Sequence, residues 1–367
     1  MEAFKRSAEP IGGEAPETGY RPEGVGLSIA LHAKKSFGMR RTLKYVVKTK
    51  DEGNKADGPF SATCYETCQY RKESVNMEFK KVLVVGSGTM GNGIAQVCAQ
   101  KGISVYLSDM NQEVLDRAVK NIRWSVGKFV EKGKVTEDLE TIMGRIKTST
   151  GFEAAAEVDL VIEAVFERVD VKHEVFKKID ALVKDNTILA SNTSAIPISD
   201  IAAAVSRPQN FIGIHFFNPV PMMMAVEVIR GIGTSEEAFQ AGAEFVRFIG
   251  KEPIMVQRDI AGFILNRINM LANMEAYRLV GQGVASPEDI DKGMCLAFGR
   301  KMGPLETSDL VGLDVQLMAY TNVYEDEKDA RFYPPSILKR KVQAGQLGRK
   351  TGKGWYEYNP DGSRKKG

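Results

Sequence analysis

The sequence predicts an α/β domain built on a parallel sheet, with a long helical insertion, followed by an all-α domain. From Lys81 onwards, short apolar runs alternate with helical stretches, which is the rhythm of a parallel α/β sheet. A glycine-rich turn separates the first run from the first helix. Strand candidates stop after Asp259, and such a switch marks a domain boundary near residues 258–265. We therefore expect domains at residues 77–260 and 261–367.

Residues 1–76 receive no fold assignment. They carry scattered charges and no sustained periodicity apart from a short strand-like segment at residues 42–47. Their content of acidic residues disfavours a mitochondrial transit peptide. A disordered extension and an incorrectly chosen start codon both remain open, and Met77 is a plausible true start because it leads directly into the first strand.

The elements of the α/β domain follow in order. Six apolar runs predict strands, each bounded by polar or turn-forming residues. The second and third runs are separated by two predicted helices, one from Glu113 to Val130 and one from Thr136 to Arg145. These helices form the predicted insertion. The runs are "KVLVV" from Lys81, "SVYLS" from Ser104, "DLVIEAV" from Asp159, "TILAS" from Thr187, "FIGIHFF" from Phe211 and "PIMVQ" from Pro253.

After the predicted domain boundary, the sequence predicts only helices. Gly262 to Gly281 reads as one long helix with few breakers. Ser286 is placed to cap the next helix, because Pro287 suits the first helical position and the acidic residues after it suit the positive end of the helix dipole.

Charge and composition exclude several classes of protein. Outside residues 1–76 the basic and acidic residues balance, which disfavours a nucleic-acid partner. No apolar run reaches the roughly 18 residues of a membrane span, and no signal peptide is recognisable. The four cysteines imply neither a disulfide framework nor a zinc site, so we expect no metal. The cytoplasm or an organelle matrix fits this composition, and we expect the cytoplasm.

The glycine turn predicts a dinucleotide site. In "VLVVGSGTMGNGIAQ", Gly86, Gly88 and Gly91 have GxGxxG spacing between a strand and a helix, where the turn and the helix N-terminus can accept a pyrophosphate. Asp109 ends the second strand, where its carboxylate can bind a ribose diol and repel a 2′-phosphate. The next two residues include no arginine, so NAD is favoured over NADP. The alternative is a glycine turn with only a packing role.

One histidine stands out as a candidate catalytic residue. Of the three histidines, His32 lies in the unassigned segment and His173 falls on the face of a predicted helix. His215 ends a strand, where open α/β sheets bind their ligands. Asn218 follows closely, and Glu227 lies in the next apolar segment. A carboxylate among apolar residues needs a partner, and the histidine is available.

Eight segments along the chain carry a resemblance to a known family: "GSGTMGNGIA", "VIEAVFE", "ASNTSA", "HFFNPVP", "VEVIRG", "GFILNR", "MGPLETSDLVGLD" and "GRKTGKGWYEY". With these segments in the same order, residues from Met77 to about Tyr358 resemble the L-3-hydroxyacyl-CoA dehydrogenase family, and most of all its bacterial 3-hydroxybutyryl-CoA members. The resemblance implies a Rossmann-type NAD-binding domain and a helical domain that forms a homodimer.

The resemblance also implies roles for individual residues. His215 would be the general base that takes the proton of the 3-hydroxyl, and Glu227 would orient and stabilise its imidazole. Ser194 and Asn218 would hydrogen-bond the reacting oxygen, and Asn266 would complete the substrate pocket. The implied cofactor contacts, beyond the glycine turn and Asp109, are Glu167, Lys172, Asn192 and Lys350.

The implied reaction is the reversible oxidation of a short-chain (3S)-3-hydroxyacyl-CoA by NAD. Met224, Ala225 and Ala195 depart from residues common in the family, which leaves acyl preference open. Two alternatives stay open: a related dehydrogenase for a dicarboxylic or branched 3-hydroxyacyl-CoA or a free hydroxy acid, and a non-catalytic NAD-binding relative. Lys128, Lys132 and Lys134 could meet CoA phosphates, but a solvated helix face explains each of them equally well.

Overall fold

The computed structural model of the protein describes residues 79–365, so the segment at residues 1–76, with its strand-like stretch, lies outside the described residues. Within residues 79–365 the chain forms eight strands and eleven α-helices. The strands are β1 Lys81–Val85, β2 Ser104–Ser108, β3 Ile146–Ser149, β4 Leu160–Glu163, β5 Ile188–Ser191, β6 Phe211–Phe216, β7 Ala225–Arg230 and β8 Glu252–Val256. The helices are α1 Thr89–Ala99, α2 Gln112–Glu131, α3 Leu139–Met143, α4 Val169–Asp180, α5 Ile198–Ala202, α6 Glu236–Phe248, α7 Leu265–Gly281, α8 Pro287–Phe298, α9 Pro304–Val311, α10 Leu313–Glu327 and α11 Ser336–Gln343.

All eight strands join one sheet in the order β3-β2-β1-β4-β5-β6-β7-β8. The first six run parallel, whereas β7 runs antiparallel to β6 and β8 runs parallel to β7. The predicted fold class is confirmed, because this strand order and the helices on both faces are those of a Rossmann-type domain. Helices α7 to α11 follow the sheet and form the helical part of the chain.

Two of the eight strands escaped the sequence prediction. β3 reads "IKTS" and offers one apolar side chain, so its pattern does not resemble a buried strand. It pairs with β2 at the edge of the sheet. β7 reads "AVEVIR", where the charged Glu227 interrupts the apolar run. A polar edge strand and a strand that contains a buried carboxylate both lack the usual apolar pattern.

Two helix boundaries also differ from the prediction. α3 begins at Leu139, and its N-cap is Asp138, whose carboxylate accepts the N–H of Thr141, so the predicted start at Thr136 is wrong. α7 begins at Leu265 rather than Gly262, because Gly262 and Phe263 have left-handed backbone conformations with φ of 75° and 48°. The capping of α8 by Ser286 is confirmed, since its hydroxyl accepts the N–H of Asp289.

The sheet separates two apolar layers. On one face, α1, α2 and α6 pack against it with residues such as Ile94, Ile122 and Phe245. On the other face, α4 and α5 contribute Phe176 and Ile201. Between them these layers exclude water from both faces, as a parallel sheet requires.

The helical part has its own core and a pinned C-terminal segment. Tyr277, Tyr320 and Trp355 are buried together in it. The carboxylate of Asp309 accepts the backbone N–H groups of Trp355 and Tyr356, which ties the last residues to α9. Burial raises the pKa of Asp309, so these hydrogen bonds compensate for an unfavourable location. In residues 79–365, no helix has the length and apolarity needed to span a membrane.

Candidate active site

The two residues singled out by the sequence meet at the antiparallel pair of the sheet. His215 on β6 lies directly opposite Glu227 on β7. Directly opposed residues of an antiparallel pair place their side chains on the same face, close enough to interact. Here Nδ1 of His215 is 2.7 Å from Oε2 of Glu227, and both side chains are buried. The reversal of chain direction at β7 therefore creates the contact.

The second oxygen of Glu227 is bound by the start of the helical part. Oε1 accepts the N–H groups of Ile264, at 3.0 Å, and Leu265, at 2.8 Å. These N–H groups belong to the first turn of α7, which carries partial positive charge and stabilises an anion. The carboxylate is thereby held in one orientation, and it links the sheet to α7.

The other nitrogen of His215 faces a serine. Nε2 of His215 is 3.1 Å from Oγ of Ser194, which follows β5 and is exposed to solvent. Because the Glu227 carboxylate can only accept, Nδ1 carries the proton toward it and Nε2 presents its lone pair toward Ser194. Phe217 and Phe263 pack on the imidazole, with ring centroids at 4.6 and 5.7 Å. The result is a fixed imidazole whose Nε2 faces the hydroxyl of the exposed Ser194.

Glu167 holds the loop that carries Ser194. Its Oε1 accepts the hydroxyl of Thr193 and the backbone N–H groups of Ser194 and Ala195, at 2.7, 2.8 and 3.1 Å. Its Oε2 lies 3.3 Å from the ammonium group of Lys172. We call residues 193–195 the serine loop. Glu167 binds this loop directly, and Lys172, which is also predicted to contact the cofactor, supports it through Glu167.

Glu163 is the residue that the sequence prediction missed. It is fully buried at the end of β4 and pairs with Lys172 at 2.7 Å. It also accepts the hydroxyl of Ser191 at 2.6 Å. A signal was available: Glu163 is a carboxylate in a buried strand, and Lys172, on the following helix, is a possible counter-charge.

Asn192 joins β5 to the histidine strand. Its side-chain oxygen accepts the N–H of Phe216 at 2.9 Å, and its own N–H binds the carbonyl oxygen of Glu163 at 2.7 Å. Asn192 thus fixes the spacing between the end of β6 and the buried Glu163 pair.

The glycine turn has the shape that a dinucleotide needs. A Cβ at Gly91 would lie 1.7 Å from the carbonyl oxygen of Gly86, and a Cβ at Gly86 would lie 2.6 Å from that of Ala164, so neither position accepts a side chain. A Cβ at Gly88 would meet nothing within 4 Å. Gly88 is the N-cap of α1 and provides no side-chain cap, which leaves the first-turn N–H groups available for a phosphate.

Asp109 lies against this turn. Its Oδ2 accepts the N–H of Ser87 at 2.8 Å and the Ser87 hydroxyl at 2.9 Å. The carboxylate at the end of β2 is therefore held beside the glycines, where a ribose diol of a bound dinucleotide would reach it. The residues present fit NAD.

Three other predicted residues have no hydrogen bond to this cluster. Asn218 is exposed, three positions after His215, and its side chain makes no hydrogen bond within residues 79–365. Asn266 lies in the first turn of α7, next to Leu265. Lys350 pairs with Asp314 at the start of α10, at 2.6 Å.

Family models match most of the described chain. The model described as 3-hydroxyacyl-CoA dehydrogenase, NAD binding domain, matches residues 81–260, and the one described as 3-hydroxyacyl-CoA dehydrogenase, C-terminal domain, matches residues 262–358. The fold and the glycine turn define an NAD-dependent oxidoreductase. The chain belongs to the 3-hydroxyacyl-CoA dehydrogenase family.

Curated and solved relatives agree with this placement. The chain is 46% identical to a probable 3-hydroxybutyryl-CoA dehydrogenase of Deinococcus radiodurans, over 75% of this chain and 99% of the relative. It is 42% identical to the human mitochondrial hydroxyacyl-coenzyme A dehydrogenase, over 76% of this chain and 91% of the relative. The crystal structure of (S)-3-hydroxybutyryl-CoA dehydrogenase from Ralstonia eutropha matches with a TM-score of 0.74 and 42% identity, over 77% of this chain and all of that chain.

Proposed function

We propose that this enzyme catalyses the reversible oxidation of a short-chain (3S)-3-hydroxyacyl-CoA to the 3-oxoacyl-CoA with NAD, and that 3-hydroxybutyryl-CoA is its substrate. The observation that carries the proposal is the fixed imidazole of His215, which has Glu227 on one nitrogen and the hydroxyl of the exposed Ser194 on the other. The names of the relatives support the choice of substrate.

The chain's own groups perform the proton transfer. Nε2 of His215 takes the proton of the 3-hydroxyl in oxidation and returns it in reduction, and Glu227 stabilises the imidazolium that forms. Ser194 Oγ, 3.1 Å from that nitrogen, hydrogen-bonds the reacting oxygen together with Asn218. Asn266 closes the substrate pocket from the first turn of α7. Positioned acid–base help of this kind contributes about 10²- to 10⁴-fold in rate.

The proposed cofactor residues contact different parts of NAD. NAD supplies the hydride acceptor when it is bound. Gly86, Gly88 and Gly91 allow its pyrophosphate to approach the start of α1, and Asp109 binds the adenosine ribose. Near the reacting end of the cofactor we place Glu167, Lys172 and Asn192, which surround the serine loop, and we also assign Lys350 to this group.

The proposal extends to domains, assembly and location. We place the domain division at residues 260/261 and a homodimer interface in the helical domain. Support for the interface comes from large apolar side chains that are exposed on α8, α9 and α10, since α9 packs against both of its neighbours and brings these surfaces together. The exposed apolar residues of this surface are Leu296, Phe298, Leu310, Val311, Val315 and Met318.

A cytoplasmic location stays a prediction, which cell fractionation tests.

The test is a ranking of substrates with NADH as the reductant. Initial rates are measured with acetoacetyl-CoA, longer 3-oxoacyl-CoA esters, a dicarboxylic 3-oxoacyl-CoA and the free acids. We expect acetoacetyl-CoA to give the highest kcat/KM. A preference for a free acid or a dicarboxylic ester would contradict the substrate assignment, and the absence of turnover with all of them would favour a non-catalytic relative.

A further inference from the structure

The loop between β6 and β7 is the segment that links the two residues of the proposed proton relay. We call residues 217–224 the hairpin loop. It begins two residues after His215 and ends three residues before Glu227. Asn218 lies near its start, and three methionines near its end are exposed. The conformation of this loop therefore decides where Asn218 stands relative to the imidazole.

A buried lysine binds the backbone of the hairpin loop. Lys251 directly precedes β8 and is 7% exposed. Its ammonium group donates to the carbonyl oxygens of Val220 and Met223, both at 2.6 Å. The backbone of the next residue continues the attachment, because the N–H of Glu252 binds the carbonyl oxygen of Met224 at 2.9 Å.

This ammonium group has no counter-charge. No carboxylate among residues 79–365 forms an ion pair with Lys251, and burial lowers its pKa. The nearby Cys98 is also buried, and burial raises the pKa of its thiol to about 12, so it offers no thiolate. A buried, unpaired ammonium is unfavourable, and an apolar side chain would fill the same space at lower cost. What the lysine adds is a pair of directed hydrogen bonds to the loop.

The opposite side of the loop rests on the helix of the glycine turn. A Cβ at Gly93 of α1 would lie 2.8 Å from Cβ of Val220 and 3.6 Å from Cδ of Pro221. Val220 itself is 1% exposed. The loop is thus held between α1 and Lys251, and a shift of either support would move it.

We propose that Lys251 is a positioning residue of the dehydrogenase reaction: by holding the carbonyl groups of Val220 and Met223, it keeps the hairpin loop in the conformation that brings Asn218 to the reacting oxygen. This inference rests on the proposed function, because it requires Asn218 to act there. Lys251 forms no hydrogen bond or ion pair with the glycine turn or with Asp109, so the proposed role is separate from cofactor binding.

The experiment compares Lys251→Met with Lys101→Met. Lys101 is the control, because its side chain lies beside Gly250, the residue before Lys251, but makes no hydrogen bond to the loop. We expect Lys251→Met to lower kcat with the best substrate of the wild type about tenfold to a hundredfold, as small misplacements of catalytic groups do. The dissociation constant of NADH, followed by its fluorescence, should stay at the wild-type value in both variants. Lys101→Met should keep the wild-type kcat.

Two further variants distinguish a displaced loop from a protein that fails to fold. Gly93→Ala pushes the same loop from the α1 side and should lower kcat in the same way, with NADH binding kept. Lys251→Arg retains the donors and should recover most of the activity. The proposal is overturned by a wild-type kcat in Lys251→Met, by an equal loss in Lys101→Met, or, if Lys251→Met does not fold, by a wild-type kcat in Gly93→Ala. Each assay uses the best substrate of the wild type, so a wrong substrate assignment leaves this comparison intact.

Discussion

Glu163 and Glu227 are two fully buried carboxylates on the same sheet, and each pairs with a different kind of basic side chain. Glu163 pairs with the ammonium group of Lys172, a hydroxyl and a backbone N–H. Glu227 pairs with the imidazole of His215 and with two backbone N–H groups of α7. Each accepts three hydrogen bonds, which compensate for the burial of its charge.

The difference lies in whether the partner can exchange a proton near neutral pH. A lysine ammonium keeps its charge there, so the Glu163 pair acts as a fixed support beneath the serine loop. An imidazole gains and loses its charge in that range, so the Glu227 pair can follow a reaction. Under the proposed mechanism, identical burial of a carboxylate thus serves structure in one place and proton transfer in the other.

The largest effect that separates the two carboxylates is expected for Glu227→Gln. The amide oxygen can still accept the N–H groups of Ile264 and Leu265, which leaves the amide NH₂ facing Nδ1 of His215. The proton then moves to Nε2, so the imidazole cannot accept a proton in oxidation, and the imidazolium that donates it in reduction loses its stabilising carboxylate. We expect kcat to fall about 10²- to 10⁴-fold, which corresponds to about 2.7 to 5.4 kcal/mol in the activation barrier.

Steady-state rates with acetoacetyl-CoA and NADH measure this loss. Glu237→Gln, on the exposed first turn of α6, is the matched control and should behave as wild type. A Glu227→Gln enzyme within a few-fold of the wild-type kcat would place both carboxylates in the same supporting role and remove the contrast.

A smaller effect, on stability rather than rate, is expected for Glu163→Gln. The substitution leaves the ammonium of Lys172 with Glu167 alone, at 3.3 Å. Removing one member of a buried ion pair is costly, and because one carboxylate remains we expect a loss of about 3 kcal/mol in the free energy of unfolding. Urea denaturation measures it.

The double variant Glu163→Gln, Lys172→Met sharpens the result. It removes the stranded charge and should recover much of the lost stability. If Glu163→Gln has the same midpoint of urea unfolding as the wild type, the ion pair does not stabilise the fold. The comparison with Glu227 would then fail.

The sequence predicts the pairing of His215 with Glu227 better than it predicts the sheet that brings them together. Strand-end position and an apolar context were enough to select His215 and Glu227, because ionisable residues stand out in a buried run. The antiparallel direction of β7 could not be read, since an apolar run has the same pattern in both directions. Yet that direction is what sets His215 opposite Glu227.

The sequence also could not predict contacts between side chains that lie far apart in the chain. Lys172 and Glu167 were named through a resemblance, and only the coordinates join them to Glu163 and the serine loop. Lys251 has no local signal at all, because its partners lie 31 and 28 residues away. Such side-chain to backbone contacts depend on tertiary packing, which periodicity does not encode.

The most direct test of the central claim is the turnover of His215→Gln beside His173→Gln. His173 is a matched control, because it lies on α4 and its ring binds only the carbonyl oxygen of Asp200. With acetoacetyl-CoA and NADH, the account predicts that His215→Gln loses about 10²- to 10⁴-fold in kcat while it binds NADH as tightly as wild type, and that His173→Gln keeps full activity. Wild-type turnover by His215→Gln would contradict the assignment of its imidazole as the proton acceptor.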